Sequence, residues 1–197
     1  MNKKKIAFLT VAGMLTAIEA IMAFTPLGYL KIGLLSITFM TIPVIIGATV
    51  GGVGIGTMLG LVFGITSFVQ CFGMDLFGTT LFSINPVGTF VTCIVTRTLM
   101  GCLCGVIFKA LSGTKLNNTL KYGISAFSAP FLNTVFFMFC LIAFFWKTDY
   151  IRGIAGGADI MSFLIAMVGI NGVVEWVACT LIGTAIAIPV GKAVKKI

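Results

Sequence analysis

The chain has 197 residues, 59% hydrophobic and 9% charged, with a formal net charge of +8. A charged share far below the roughly 25% of soluble domains excludes an ordinary soluble fold, and the length leaves no room for a separate soluble domain of ordinary size. A basic excess would suggest nucleic acid in a soluble protein, but here the Lys and Arg stand at the ends of apolar segments, where they read as topology signals rather than as a nucleic-acid surface.

Stretches long enough to cross an apolar layer of about 30 Å fall at 6–25, 36–51, 54–70, 86–109, 121–146 and 161–189. The expected fold is an all-α bundle of six transmembrane helices forming one domain over residues 1–197. The first segment follows Lys3-Lys4-Lys5 as a signal peptide would. It runs to Thr25-Pro26 without a clear small-residue cleavage site, so it reads as a retained helix. It carries Glu19, which from its position could face a pocket, pair with a neighbour or snorkel to the interface.

The second and third segments are short and joined by Gly51-Gly52-Val53-Gly54, as two helices in a tight turn or as one broken helix. Gly56, Gly60 and Gly64 then repeat every four residues. The glycine run is superficially like a nucleotide loop but lacks the Lys-Ser/Thr ending. The small-xxx-small spacing instead predicts close helix packing, and the chain has no means of hydrolysing ATP by itself. Loops 71–85 and 147–160 contain Gly73, Gly78, Gly153, Gly156 and Gly157 and read as mobile closures.

In the fourth segment Arg97 stands alone among apolar residues, as Glu175 does in the sixth. A charge near a bilayer centre costs about 2.5–3.5 kcal/mol on insertion scales, so it faces a partner, a cavity or a ligand. Arg97 lies 11 residues from Pro86, about 16 Å at 1.5 Å per residue. Asn171 lies as far from Ile160, with Glu175 one turn deeper on the same face. Asn133, on the antiparallel fifth segment, is about 20 Å from Trp146. Arg97, Asn133, Asn171 and Glu175 thus share one layer, with Asn85, Trp146 and the aromatic-containing loops around Tyr29 and Phe72 to Phe82 at the rim.

Two readings of that layer stay open: a buried Arg97–Glu175 ion pair with interhelical asparagine bonds, or a pocket for a small polar solute. Buried ion pairs are poor stabilisers compared with apolar packing, which favours the pocket.

The six cysteines (Cys71, Cys93, Cys102, Cys104, Cys140 and Cys179) form no Cys-x-x-Cys, and there is no histidine. They read as small buried apolar residues, with no metal site and no cofactor expected. Without histidine the common serine hydrolase and metalloprotease arrangements are unsupported, and an enzyme is not expected.

With an even number of spans both termini share a side. That side carries Lys3, Lys4, Lys5, Lys109, Lys115, Lys121, Lys192, Lys195 and Lys196; the other carries Lys31, Lys147 and Arg152. The positive-inside rule then puts both termini in the cytoplasm of a multi-pass plasma-membrane protein.

Ser36-Ile-Thr-Phe-Met-Thr-Ile-Pro43-Val-Ile-Ile-Gly47-Ala48, followed by Gly56-Thr-Met-Leu-Gly60-Leu-Val-Phe-Gly64-Ile-Thr-Ser67, is similar to helices 2 and 3 of the S components of bacterial energy-coupling factor (ECF) vitamin transporters. Six short helices in under 200 residues with both ends inside resemble that family over nearly the whole chain, its pantothenate-type branch most.

The resemblance implies capture of a water-soluble vitamin from outside. It also implies partnership with a membrane scaffold subunit and two ATPases, docked through small residues on helix 1, here Ala12, Gly13, Thr16 and Ala17. For pantothenate it implies Arg97 on the carboxylate, with Asn85, Asn133 and Asn171 on hydroxyls and amide. Glu175 fits a neutral or cationic ligand better, such as a pyridoxine-like, queuosine-precursor or thiamine-like compound, so these substrates, and riboflavin, stay open. A non-transporting subunit of an envelope or cell-shape assembly is the alternative of another class.

Overall fold

A computed structural model describes residues 3–32 and 35–195, with the side chains of 3–5, 30–32, 35–37, 170, 171 and 195 outside the description. Helix α1 (Lys3–Ala23) leads through a turn into an antiparallel hairpin, β1 (Tyr29–Ile32) and β2 (Leu35–Thr38), in which Tyr29 pairs with Thr38. Then follow α2 (Thr41–Gly51), α3 (Val53–Gln70), α4 (Leu76–Ile84) and α5 (Pro86–Phe90). A wider π turn, Val91–Val95, carries α5 into α6 (Thr96–Ser112) without a break. The chain ends with α7 (Asn118–Phe145), α8 (Asp149–Ala155) and α9 (Ile160–Lys195).

Among the described residues five helices are long and apolar enough to cross a membrane. A sixth is added if Asp149–Ala155 and Ile160–Gly169, bent by 75°, make one span. The helical class expected from the sequence therefore stands, with a small hairpin added and several boundaries moved.

The largest change concerns the segment expected at 36–51. Its first residues form strand β2, and only Thr41–Gly51 is helical. Eleven residues rise about 16 Å, half the apolar layer. Residues Thr41–Thr49 of α2 are buried all round, with α1, α3, α6, α7 and α9 packed about them. The central helix of the bundle is thus a half-length one, preceded by the hairpin. Non-helical backbone at that depth is tolerated because it lines a cavity rather than facing lipid.

Gly52, at φ +83, makes the turn from α2 into α3. The tight-turn reading of that junction is the one observed, since Gly47 meets Leu59 and Ala48 meets Gly56 across it. The glycine stripe packs as its spacing predicts. A Cβ on Gly56 would lie 2.7 Å from the Gly101 carbonyl oxygen, one on Gly64 would lie 2.8 Å from Ile94 Cα, and one on Gly60 would press on the Arg97 carbonyl. Gly101 and Gly105 return the contact from α6 onto Gly56 and Val53. Two backbones meet here without side chains between them, which is how α3 fixes the height and rotation of the arginine helix.

The long last segment is not one rod. Gly169 (φ +31, ψ −141) breaks α9, a conformation that costs glycine little. The expected open loops 71–85 and 147–160 instead contain α4 and α8, each started by a side-chain cap. Asp75 Oδ2 accepts from the Gly78 N–H (2.7 Å), and Thr148 Oγ1 accepts from the Ile151 N–H (3.4 Å).

Candidate functional site

A cavity of about 710 Å³ occupies the half of the bundle that α2 leaves empty, within the range of small-molecule sites. Its walls come from the end of α1, the hairpin, the C-terminal half of α3, α4, α5, the π turn, the middle of α7 and the kinked part of α9. Four of the anticipated residues line it: Tyr29, Arg97, Asn133 and Glu175.

Arg97 is 8% exposed. At the π turn the Thr96 N–H reaches back to the Val91 carbonyl. The Arg97 side chain folds back over this turn, Nη1 donating to the carbonyls of Thr92 (2.8 Å) and Cys93 (3.2 Å). Its Cζ stands 4.7 Å from the centroid of Phe63, a cation–π contact that supports the guanidinium from below. Nε has no partner. Such π turns recur at functional sites because they re-aim one side chain within a continuous helix.

Glu175 sits on α9 opposite. Oε2 accepts from the Thr38 N–H at 3.0 Å, and Oε1 is buried without a partner. One turn on, Cys179 Sγ donates to the Thr38 carbonyl at 3.4 Å. Two residues of α9 therefore hold the inner end of the hairpin, tying Thr38 into the cavity wall.

Arg97 and Glu175 do not hydrogen-bond each other: Arg97 donates to carbonyls of its own π turn, and Glu175 accepts from the Thr38 N–H of the hairpin. This corrects the ion-pair reading: the two charges line one space without closing it. A net anion or a ligand with both polarities finds complementary groups there.

Asn133 Oδ1 and Tyr29 Oη are also buried without partners. Buried polar atoms are nearly always satisfied. Five cavity-lining residues carry such an atom: Thr25 Oγ1, Tyr29 Oη, Arg97 Nε, Asn133 Oδ1 and Glu175 Oε1, a set of donors and acceptors around one space.

Two anticipated residues take other places. Asn85 does not line the cavity. Its Oδ1 caps α5 by accepting from the Gly88 N–H at 2.9 Å, because the chain turns there from α4 into a new helix starting at Pro86. The Asn171 side chain lies outside the described residues. Glu19 is fully buried with both carboxyl oxygens unpartnered and does not line the cavity.

Sequence reasoning missed Thr38, Phe63, Gln70, Thr89 and Thr92 in the wall, whereas Asp75 falls in the rim loop expected at Phe72 to Phe82. Thr89 and Thr92, three apart, share a face, but Arg97 is off that face in a regular helix and comes back to Thr92 only over the π turn. Thr38 was not findable, having been assigned to a helix.

On α1, Ala12 is buried and Thr16 bonds its carbonyl at 2.9 Å, so this pair faces inward. Gly13 and Ala17 are exposed, with open space around Gly13. Among the described residues no three of His, Cys, Asp and Glu converge as a metal site.

Comparison with known proteins agrees with this architecture. The family described as "ECF transporter, substrate-specific component" matches residues 7–187. The pantothenic acid transporter PanT of Lactococcus lactis subsp. cremoris (strain MG1363) is 29% identical over 79% of this chain and 78% of its own length. Together with apolar helices of spanning length, these matches make the chain a multi-pass protein of the bacterial plasma membrane and a transporter component rather than an enzyme. The chain belongs to the substrate-specific components of ECF transporters.

Proposed function

We propose that the chain captures pantothenate from outside the cell and delivers it, within the membrane, to a scaffold subunit and two ATPases that supply the energy. The observation that carries this reading is the buried, cavity-lining Arg97, anchored by two carbonyls with Nε left over. A guanidinium recognises a carboxylate through paired charge-assisted hydrogen bonds. Asn133 and Tyr29 meet the hydroxyl and amide groups. The pantothenate relative supports the substrate.

The lysine distribution puts both termini in the cytoplasm. The Gln70–Ala23 contact joins the C-terminal ends of α1 and α3 in the cavity wall, the end of the bundle that faces outward when the termini are cytoplasmic. Docking to the scaffold falls to the outward pair Gly13 and Ala17 on α1, whose small side chains allow close helix approach.

The test is a thermal-shift panel of vitamins and precursors on detergent-purified protein, repeated on Arg97→Ala. Ligand at a thousandfold excess over its dissociation constant adds about 4 kcal/mol to stability. Pantothenate stabilising the parent but not Arg97→Ala is the expected result. One observation favours a second reading: the unpartnered Glu175 Oε1 offers an acceptor to a neutral or cationic vitamin. Stabilisation by such a compound alone would replace pantothenate. Gly13→Leu is expected to lose the partner subunits on co-purification while keeping the ligand shift.

A further inference from the structure

Cys71 and Cys93 are 22 positions apart in sequence, and their sulfurs stand 3.8 Å apart in the cavity wall. Both are free thiols. Cys71 ends α3 and donates to the Ser67 carbonyl (3.4 Å), while Ser67 Oγ lies 3.9 Å from Cys93 Sγ. Gly78 of α4 lies over the pair. A Cβ there would sit 2.7 Å from Cys71 Sγ, so the glycine leaves the sulfur its space.

A disulfide needs the sulfurs about 2.05 Å apart, an approach of about 1.8 Å from the present distance. The backbone on each side can supply it. Cys71 is the C-cap just past the end of α3, two residues before Gly73 at φ +109. Cys93 lies within the π turn, where the helical ladder is already widened.

Cys93 is also one of the two residues whose carbonyl holds Arg97. Drawing Cys93 toward α3 moves the anchor of the binding arginine.

We propose that Cys71 and Cys93 form a dithiol–disulfide couple whose oxidation switches off ligand capture by displacing Arg97. The site effect rests on the pantothenate reading, whereas the couple itself does not. The oxidant is a small-molecule disulfide entering through the cavity. One cysteine sulfur attacks it, forms a mixed disulfide and releases one thiol carrying the proton. The second cysteine sulfur then attacks the mixed disulfide, closes the Cys71–Cys93 bond and releases the second thiol. The protein gives up two hydrogens and two electrons, and the oxidant's S–S bond is reduced to two thiols.

The experiment treats the purified full chain with 2-hydroxyethyl disulfide, then denatures it and alkylates the remaining thiols. Of six cysteines, four should be alkylated in the oxidised protein and all six after dithiothreitol. Non-reducing peptide mapping should join Cys71 to Cys93. Cys71→Ser and Cys93→Ser should each lose the crosslink, the variant that keeps the attacking cysteine holding it as a mixed disulfide with one 2-mercaptoethanol, and Cys140→Ser should leave the crosslink intact.

Pantothenate binding is measured on the same samples, and the oxidised form should bind at least tenfold more weakly, with recovery on reduction. Six alkylated cysteines after oxidation of folded protein would overturn the couple, as would a crosslink between other cysteines. A Cys71–Cys93 crosslink with unchanged affinity would overturn the switch. Reduced protein that binds no pantothenate would overturn the substrate reading and with it the switch on that ligand, while the alkylation count would still decide the couple.

Discussion

Replacing Gly60 by alanine puts a methyl group against the carbonyl of Arg97, 3.2 Å from its carbonyl carbon and 3.3 Å from Gly101 Cα. Every one of those atoms is backbone, so no flexible side chain can swing away and α3 and α6 must separate. Overpacking of this kind costs about 1–3 kcal/mol. Alanine also gains helix propensity over glycine, about 1 kcal/mol, which would mask part of the loss. Gly123→Ala in α7 corrects for that gain, because nothing lies within 4 Å of its Cβ.

The propensity gain cancels between the two variants, leaving Gly60→Ala less stable than Gly123→Ala by the overpacking cost alone. For a chain of 150–250 residues each kcal/mol moves Tm by about 2–4 °C, so the gap should be roughly 2–12 °C. Thermal unfolding in detergent measures it, followed by pantothenate titration. Gly60→Ala should also bind more weakly, since the same contact moves the residue that carries the guanidinium. Equal Tm values for the two variants would refute the account of α3–α6 packing.

Glu19→Met removes a fully buried carboxyl with two unpartnered oxygens while keeping its volume; it should raise stability by about 1–3 kcal/mol with pantothenate affinity unchanged, and a lower Tm would count against it. Asn85→Ala should cost about 1 kcal/mol by uncapping α5, and Asn85→Asp should restore it; a large loss of affinity at unchanged Tm would return Asn85 to the site. Glu175→Gln keeps an acceptor for the Thr38 N–H and removes a negative charge facing the substrate carboxylate, so affinity should hold or rise. Glu175→Ala leaves that N–H unpaired and should lower stability by about 1–3 kcal/mol; a Tm equal to that of the parent would show that the hairpin does not depend on this bond.

Much of this protein is decided by short-range chemistry and can be read from the chain. Long apolar runs interrupted by lysines dictate a membrane bundle, because the transfer energy of each segment depends on its own residues. The glycine spacing at 56, 60 and 64 predicts close packing for the same local reason. Arg97 and Glu175 stand out because an isolated charge among apolar residues demands a partner or a cavity.

Other features depend on contacts between residues far apart. Leu35–Thr38 alternates apolar and polar residues as a strand does, but four residues leading into a long apolar run are too few to decide whether the backbone coils or extends. It extends because Glu175, 137 positions on, takes the Thr38 N–H, and Cys179 meets its carbonyl. The half-length α2 and the cavity above it follow from that strap. The break at Gly169 and the meeting of Cys71 with Cys93 likewise rest on how helices assemble, as the inner positions of Ala12 and Thr16 do. Asn85 differs: its spacing before Pro86 and Gly88 is a capping pattern, but only the turn between α4 and α5 decides that its side chain serves the backbone rather than a ligand.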